Sequence, residues 1–199
     1  MEEYLKARYR VQLDQKPPIK IRGFKRSLHL IRLFRNLGFK KGAEIGVASG
    51  RNMFYICNRV PGVQMIGVDI WTQYEYDRAG RWCHHVYDHK KNYEWAKQKL
   101  AQFNVNLIKG TSMDVVKTIE ENSLDFIYID ANHYYDYVRD DLNEWSKRVR
   151  LGGIVSGHDY ADSPNCDVIK AVNEYVEQNK IGQWFLTDEW PNSYFWMKQ

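Results

Sequence analysis

Five short apolar segments recur between residues 43 and 157, and this repetition limits the folds open to the chain more than any other feature. The segments are AEIGV, QMIGVDI, NVNLIKG, LDFIYID and GGIVSG. Each is typical of a buried β-strand, and each is separated from the next by a stretch long enough for a helical crossover. The pattern therefore predicts an α/β protein with a Rossmann-like, doubly wound and mostly parallel sheet.

The region before the first strand differs from the rest of the chain in charge. Residues 1–41 hold twelve Lys and Arg against three acidic residues, whereas the remainder carries a net charge of −5. Phe24, Leu28, Ile31 and Phe34 recur at helical spacing, so we predict a basic helical arm that packs on the domain. The basic charge fits an anionic partner such as nucleic acid, acidic lipid headgroups or an anionic substrate. Charge alone favours a solvated face or a subunit contact in a homo-oligomer over such a partner.

The region after the fifth segment is predicted to complete the same domain. A buried helical stripe precedes it at Val138, Leu142, Trp145 and Val149. VIKAVNEYVEQ then predicts a helix, and QWFLTD and SYFWMK predict two closing strands that include an antiparallel C-terminal strand. We thus expect one domain over residues 1–199, with an arm (1–41), a core (42–160) and a closing helix and strands (161–199).

The apolar runs and the cysteines indicate in which cellular compartment the protein is found. No apolar run reaches the length that spans a bilayer, and MEEYLKARYR lacks the apolar centre of a signal peptide. Cys57, Cys83 and Cys166 are odd in number and form no CxxC pair, which indicates reduced, structural thiols. We predict a cytoplasmic protein without a membrane span.

The turn AEIGVASGR indicates which ligand the sheet would bind. It holds Gly46 and Gly50 but lacks the third glycine of the dinucleotide pattern. Asp69 ends the second strand nineteen residues after Gly50, where an acid accepts hydrogen bonds from ribose hydroxyls. Glu44 places a carboxylate beside the turn, which disfavours a diphosphate and favours a cationic ligand. A sulfonium nucleoside, S-adenosylmethionine, satisfies both conditions.

An ordered set of motifs resembles a known family over about residues 42–160. AEIGVASGR, GVDIW, LIKGTSMDVV, DFIYIDANHYYDYVRDDLNEW and RLGGIVSGHDY are similar to the class I S-adenosylmethionine-dependent methyltransferases, and to their macrocin O-methyltransferase and cephalosporin hydroxylase-like group. By this resemblance, the residues at the methionine end of the cofactor are Glu44, Gly46, Ser49 and Gly50. Asp69 would bind the ribose, and Ser112 and Met113 would line the edge of the adenine. Asp130, also a cofactor residue, and His133 would face the sulfonium and the methyl acceptor.

Two aspartates follow neighbouring strands and suggest a metal site. Asp130 ends LDFIYID and Asp159 follows GGIVSG; since adjacent strands lie about 4.8 Å apart, the two carboxylates can share one cation. His158 is the third predicted ligand. In the metal-dependent sugar O-methyltransferases that the chain resembles, acids commonly stand at the positions of His158 and Asn132. Imidazole suits manganese better than magnesium; the alternative is that both aspartates bind amides and cofactor without Mg or Mn.

The same edge of the sheet supplies a candidate base. Asn132 cannot accept a proton, whereas His133, with an ordinary pKa of about 6.5, can. We therefore assign His133 and Asp130 as catalytic, with hydrogen bonding to cofactor or main chain as the alternative for His133.

Three further histidines lie in a region without a clear helical or strand period. His84, His85 and His89 belong to the Tyr- and Trp-rich stretch 71–90, which we interpret as a loop that closes over substrate rather than as a metal cluster.

The predicted activity is methylation of a hydroxyl on a small molecule or sugar. A nucleic-acid methyltransferase that uses the basic arm, and a non-catalytic cofactor-binding module, are the alternatives. The chain has no NPPY-like motif and no cysteine in a suitable catalytic loop, which disfavours the first alternative. Its glycine pattern disfavours a nicotinamide oxidoreductase.

Overall fold

The computed structural model describes residues 1–72 and 88–199, within which the chain forms one eight-stranded sheet and seven α-helices. The strands are β1 (Ile19–Lys20), β2 (Lys41–Ile45), β3 (Gln64–Asp69), β4 (Val105–Lys109), β5 (Leu124–Ile129), β6 (Val149–Tyr160), β7 (Phe185–Leu186) and β8 (Asn192–Met197). The helices are α1 (Glu2–Tyr9), α2 (Ile31–Asn36), α3 (Arg51–Arg59), α4 (His89–Leu100), α5 (Ser112–Val115), α6 (Tyr135–Arg148) and α7 (Val168–Gln178). A π-helical turn, Arg26–Leu30, precedes α2, and a 3-10 turn, Val116–Thr118, follows α5.

The order of strands across the sheet is β4-β3-β2-β5-β6-β8-β7-β1. Strands β2 to β6 pair in parallel, whereas β8 runs antiparallel to both of its neighbours. The predicted Rossmann-like sheet with an antiparallel C-terminal strand is therefore confirmed. The order reverses between β2 and β5, and the carboxyl ends of strands at such a reversal form a crevice in which ligands bind.

Helices cover both faces of the sheet and bury a core on each. On one face, Phe34 of α2 stacks on Phe126 of β5 with ring centroids 4.2 Å apart. On the other face, α6 buries the predicted stripe, since Val138, Leu142 and Trp145 are at most 2% exposed. Burying such side chains contributes about 1.5–3 kcal/mol each, so the stripe fixes α6 against the sheet.

The arm packs on the domain through three of its four predicted apolar residues, Phe24, Ile31 and Phe34, and only Leu28 departs from the prediction. Leu28 is 41% exposed, whereas Leu30 is 1% exposed. A π-helical turn takes more residues per turn than an α-helix, and this shift rotates Leu28 away from the core while Leu30 takes the buried position.

Pairing with the closing strands also anchors the arm. Strand β1 pairs in parallel with β7, a pairing that the sequence did not predict. The loop between β7 and β8 adds two carboxylates, since Asp188 accepts from the Gly23 N–H (2.7 Å) and Glu189 from the Arg26 N–H (2.8 Å). The basic arm therefore docks on acidic groups of the same chain.

No helix within residues 1–72 and 88–199 has the length and apolar character needed to cross a bilayer.

Candidate active site

A cavity of about 1080 Å³ opens at the carboxyl ends of β2, β3 and β5. Its lining includes eight predicted site residues: Glu44, Gly46, Ser49, Asp69, Ser112, Met113, Asp130 and His133. Gly50, His158 and Asp159 do not line it. Sites for small ligands usually enclose about 300–1,000 Å³, so this cavity lies at the upper end of that range.

The two glycines of the turn after β2 are required by neighbouring parts of the protein. Gly46 has φ +90°, and a Cβ there would overlap the carbonyl group of Asp130. Gly50 has φ +72°, and a Cβ there would lie 3.0 Å from Leu100 of α4. Since both conformations favour glycine, the turn owes its glycines to backbone geometry and close packing.

Asp69 connects two turns that border the cavity. One carboxylate oxygen accepts from the Ala48 N–H at 2.8 Å and the other from the Trp71 N–H at 2.9 Å. Ala48 and Trp71 have φ of +46° and +38°, which is unfavourable for residues with a Cβ. The carboxylate therefore holds two strained residues in place. Because each of its oxygens has two lone pairs, it can still accept from a ribose hydroxyl.

Glu44 is a buried carboxyl group in the cavity wall. The residue is 2% exposed, and its Oε1 accepts a long hydrogen bond of 3.4 Å from Asn52 of α3. No group in the described structure hydrogen-bonds to Oε2. Burial, followed by the charge of Asp130, raises the pKa of Glu44 well above its ordinary value. A buried, unpartnered carboxyl oxygen of this kind is suited to a cationic or hydrogen-bond-donating ligand.

Ser112 lies in a hydrogen-bond network that the sequence did not predict. Its hydroxyl donates to Asp141 of α6 and accepts from the Trp145 indole N–H at 2.7 Å. Thr111, not Ser112, caps α5, because the Thr111 hydroxyl accepts from the Asp114 N–H. The sequence signal for the network was Asp141 itself, an acid among the apolar positions of the α6 stripe.

Asp130, His133 and Asp159 form a compact cluster at the edge of the cavity. Each offers one ligand atom, and these atoms lie within 4.8 Å of one another. Nε2 of His133 lies 2.9 Å from Asp159 and 3.8 Å from Asp130. His158, the predicted third ligand, also contacts Asp159, with Nδ1 at 3.1 Å. The cluster thus contains both predicted aspartates, and His133 stands closer to the cavity than His158.

His133 and Asp159 form an ion pair when the imidazole is protonated. Burial lowers the pKa of His133, but the carboxylates of Asp130 and Asp159 outweigh it and raise the pKa to about 10. Burial likewise raises the pKa of Asp159, yet the two imidazoles prevail and hold it below its ordinary value. Asp159 also has φ +55°, which concentrates backbone strain at the cluster.

Arg26 of the arm is a site residue that sequence analysis missed. Its Nη1 donates to the Tyr128 hydroxyl at 3.1 Å and lies 3.5 Å from Asp130 Oδ2. The Tyr128 hydroxyl, buried beneath the cavity, is in turn 2.9 Å from Ser193 Oγ. One side chain of the arm therefore connects the acidic cluster to the closing strands.

The remaining predicted residues play smaller parts or lie outside the described chain. His89 lines the cavity at the start of α4, whereas Cys83, His84 and His85 fall outside the described residues. Cys57 and Cys166 are free thiols, and burial raises the pKa of Cys57 to about 12, which makes it unreactive.

The fold is shared by several solved O-methyltransferases. One from Bacillus cereus, in complex with SAH, has a TM-score of 0.61 and 16% identity, and the match covers 99% of this chain and 90% of that one. One from Streptomyces achromogenes, involved in tomaymycin synthesis and in complex with SAM, has a TM-score of 0.60 and 16% identity over 87% and 79% of the two chains. A putative caffeoyl-CoA O-methyltransferase from Staphylococcus aureus has a TM-score of 0.62 and 15% identity, and the match covers 100% of this chain and 90% of that one.

A curated relative and a family model match the sequence itself. An uncharacterized protein of Sinorhizobium fredii is 25% identical over 120 residues, which are 58% of this chain but only 12% of that protein. The family model described as "Methyltransferase domain" matches residues 43–160, which hold the glycine turn, Asp69 and the cluster of Asp130, His133 and Asp159. That match spans more than half of the sequence, and the chain belongs to this methyltransferase domain family.

Proposed function

We propose that the protein transfers the methyl group of S-adenosylmethionine to a hydroxyl oxygen of a small molecule or sugar, with a divalent ion held by Asp130 and Asp159. One observation carries the proposal: all of the predicted cofactor residues except Gly50 line one cavity, and His133 lines it too. The fold of the solved O-methyltransferases supports it.

The residues present fit the cofactor. Glu44 offers a buried carboxyl oxygen without a donor, and the ammonium and sulfonium groups of the cofactor are cationic. Asp69 keeps free lone pairs at the end of β3 for ribose hydroxyls. Ser112 and Met113 line the same wall for the adenine.

The acidic cluster also fits a divalent ion. The carboxylates of Asp130 and Asp159 with the imidazole of His158 would form a ligand set for manganese or a similar ion, and less so for magnesium. When bound, such an ion would lower the pKa of the acceptor hydroxyl group. Asp130, which lines the cavity, and Asp159, which does not, would both hold the ion.

His133 can act as a base only if it loses the proton that it carries at neutral pH. With a pKa of about 10, His133 is protonated at neutral pH and cannot accept a proton. The charge of Asp130 and Asp159 is the cause. A base role for His133 therefore requires that this negative charge be offset, as a divalent cation on the same carboxylates would do.

Calorimetry tests the proposal directly. We expect S-adenosylmethionine and S-adenosylhomocysteine to bind with micromolar affinity, about −8 kcal/mol, and NAD not to bind. Methyl transfer to a panel of phenols, catechols and sugars should stop with a chelator and return with manganese or magnesium. Cofactor binding without transfer to any acceptor would indicate a non-catalytic module, and NAD binding alone would refute the proposal.

The pKa of Glu44 predicts how stability depends on pH. In the folded protein this pKa lies well above the ordinary value of 4.5. As pH rises above that value, the unfolded chain releases a proton that the folded chain retains, so the free energy of unfolding falls. Glu44→Gln should remove this decrease in the free energy of unfolding. The difference in unfolding free energy between the variant and wild type, measured by urea unfolding, should therefore grow in favour of the variant as pH rises. Glu94→Gln, at the exposed surface of α4, should match wild type; parallel profiles for all three proteins would contradict the prediction.

Arg26→Gln should lower the rate of methyl transfer about tenfold or more, because Asp130 loses its cationic neighbour and its orientation. Cofactor affinity should change little. Arg35→Gln removes the same charge from an exposed position on α2 and should keep the wild-type rate. Equal rates for Arg26→Gln and wild type would show that Arg26 does not position Asp130.

A further inference from the structure

The cavity wall carries opposite charges on its two sides. Carboxylates lie at the ends of the strands, whereas three arginines line the part next to the arm and α3: Arg26, Arg51 and Arg59. Arg26 is paired with Asp130. Among the described residues, no carboxylate lies within 4 Å of Arg51 or Arg59. Two positive charges in the wall therefore have no acidic partner there.

Arg59 packs on an aromatic ring, and one of its buried donors is unsatisfied. Its guanidinium lies over the ring of Tyr55, 4.9 Å from the centroid, and Tyr55 stands one helical turn earlier on α3. Its Nη1 is buried and has no hydrogen-bond acceptor. A buried, unpaired charged donor is unfavourable, and the planar guanidinium fork matches the oxygens of a carboxylate or phosphate. The side chain is thus preorganised for an anionic group.

The cofactor would not reach this position. Arg51 opens α3 directly after the glycine turn, next to the expected place of the cofactor's methionine carboxylate. Arg59 follows eight residues later, about 12 Å along the helix axis. The opposite wall there is the π-helical turn of the arm, which packs on α3 and places Ser27 in the cavity lining. An anion at Arg59 therefore belongs to a second ligand in the cavity.

We propose that Arg59, between α3 and the arm, binds a carboxylate or phosphate group of the methyl acceptor, so that the acceptors are anionic. The inference rests on the proposed function and deepens it. It also gives the arm a part in acceptor binding, because the arm forms the other wall of this subsite.

The test uses protein saturated with S-adenosylhomocysteine, which fills the cofactor end and leaves Arg59 available. Inorganic phosphate and benzoate are titrated separately by calorimetry, and the tighter of the two identifies the preferred group. We expect at least one to bind wild type, and to bind Arg59→Gln about tenfold or more weakly. Arg59→Lys, which keeps the charge but not the fork, should bind with intermediate affinity. Arg35→Gln should bind like wild type.

The titration with S-adenosylhomocysteine separates the two proposals. Unchanged cofactor affinity in Arg59→Gln shows that this variant is folded and that its subsite is distinct from the cofactor's. Wild type that does not bind S-adenosylhomocysteine would remove the proposed function and this inference with it. Wild type that binds the cofactor but neither anion, or a binding anion that Arg59→Gln retains at full affinity, would overturn this inference alone.

Discussion

Asp159→Asn is expected to lower the rate of methyl transfer about a hundredfold or more while leaving cofactor affinity nearly unchanged. Asp159 does not line the cavity, so the cofactor loses no contact. Its carboxylate instead faces two imidazoles, with His133 Nε2 at 2.9 Å and His158 Nδ1 at 3.1 Å. An amide cannot balance the positive charge of His133 or hold a divalent ion with Asp130. Steady-state rates and calorimetry on the same preparation separate the two effects.

Asp162→Asn is the matched control for this variant. It makes the same chemical change three residues away, at an exposed position after β6, and should keep the wild-type rate. A wild-type rate in Asp159→Asn would exclude Asp159 from metal binding and from positioning His133. Methyl transfer would then depend on proximity and orientation alone.

Asp69→Ala is expected to weaken binding of S-adenosylmethionine about tenfold to a hundredfold. The change removes the proposed acceptor for the ribose, and it also frees the N–H groups of Ala48 and Trp71. Both residues hold unfavourable φ angles, so their turns should relax once the carboxylate is gone. Calorimetric titration measures the loss of affinity.

Asp69→Asn and Asp162→Ala complete this comparison. The amide of Asp69→Asn keeps one acceptor oxygen, so the affinity of this variant for S-adenosylmethionine should lie between those of wild type and Asp69→Ala. Asp162→Ala should bind the cofactor with wild-type affinity. If Asp69→Ala bound the cofactor with wild-type affinity, the ribose would have to be held elsewhere in the cavity.

The fold could be predicted from local patterns because its strands and helices are strongly periodic. Each of the five apolar segments contains or overlaps a strand, β2 to β6, and the α6 stripe is buried. Strand β8 runs antiparallel to β6, as predicted for the C-terminal strand. In β2 and β5, at the centre of the sheet, burial on both faces leaves an apolar run that can be recognised without knowledge of distant residues.

The parts of the site that were missed depend on distant residues. Arg26 reaches Asp130 only because Glu189 and β7 hold the arm, and no local spacing in the sequence encodes that contact. The π-helical turn that brings Leu30 inward is equally a result of packing. The raised pKa of His133 arises from Asp130 and Asp159 together, and Asp159 lies twenty-six positions along the chain.

The docking of the arm has a consequence for biosynthesis. Arg26 is made early, but its anchor Glu189 lies 163 positions later, and β8 must enter between β6 and β7 before that anchor is in place. During translation, the core strands can pair while the arm still lacks its binding surface. The nascent chain should therefore form the strand-end wall of the cavity before Arg26 aligns Asp130, and the proposed methyl transfer should begin only after β8 has joined the sheet.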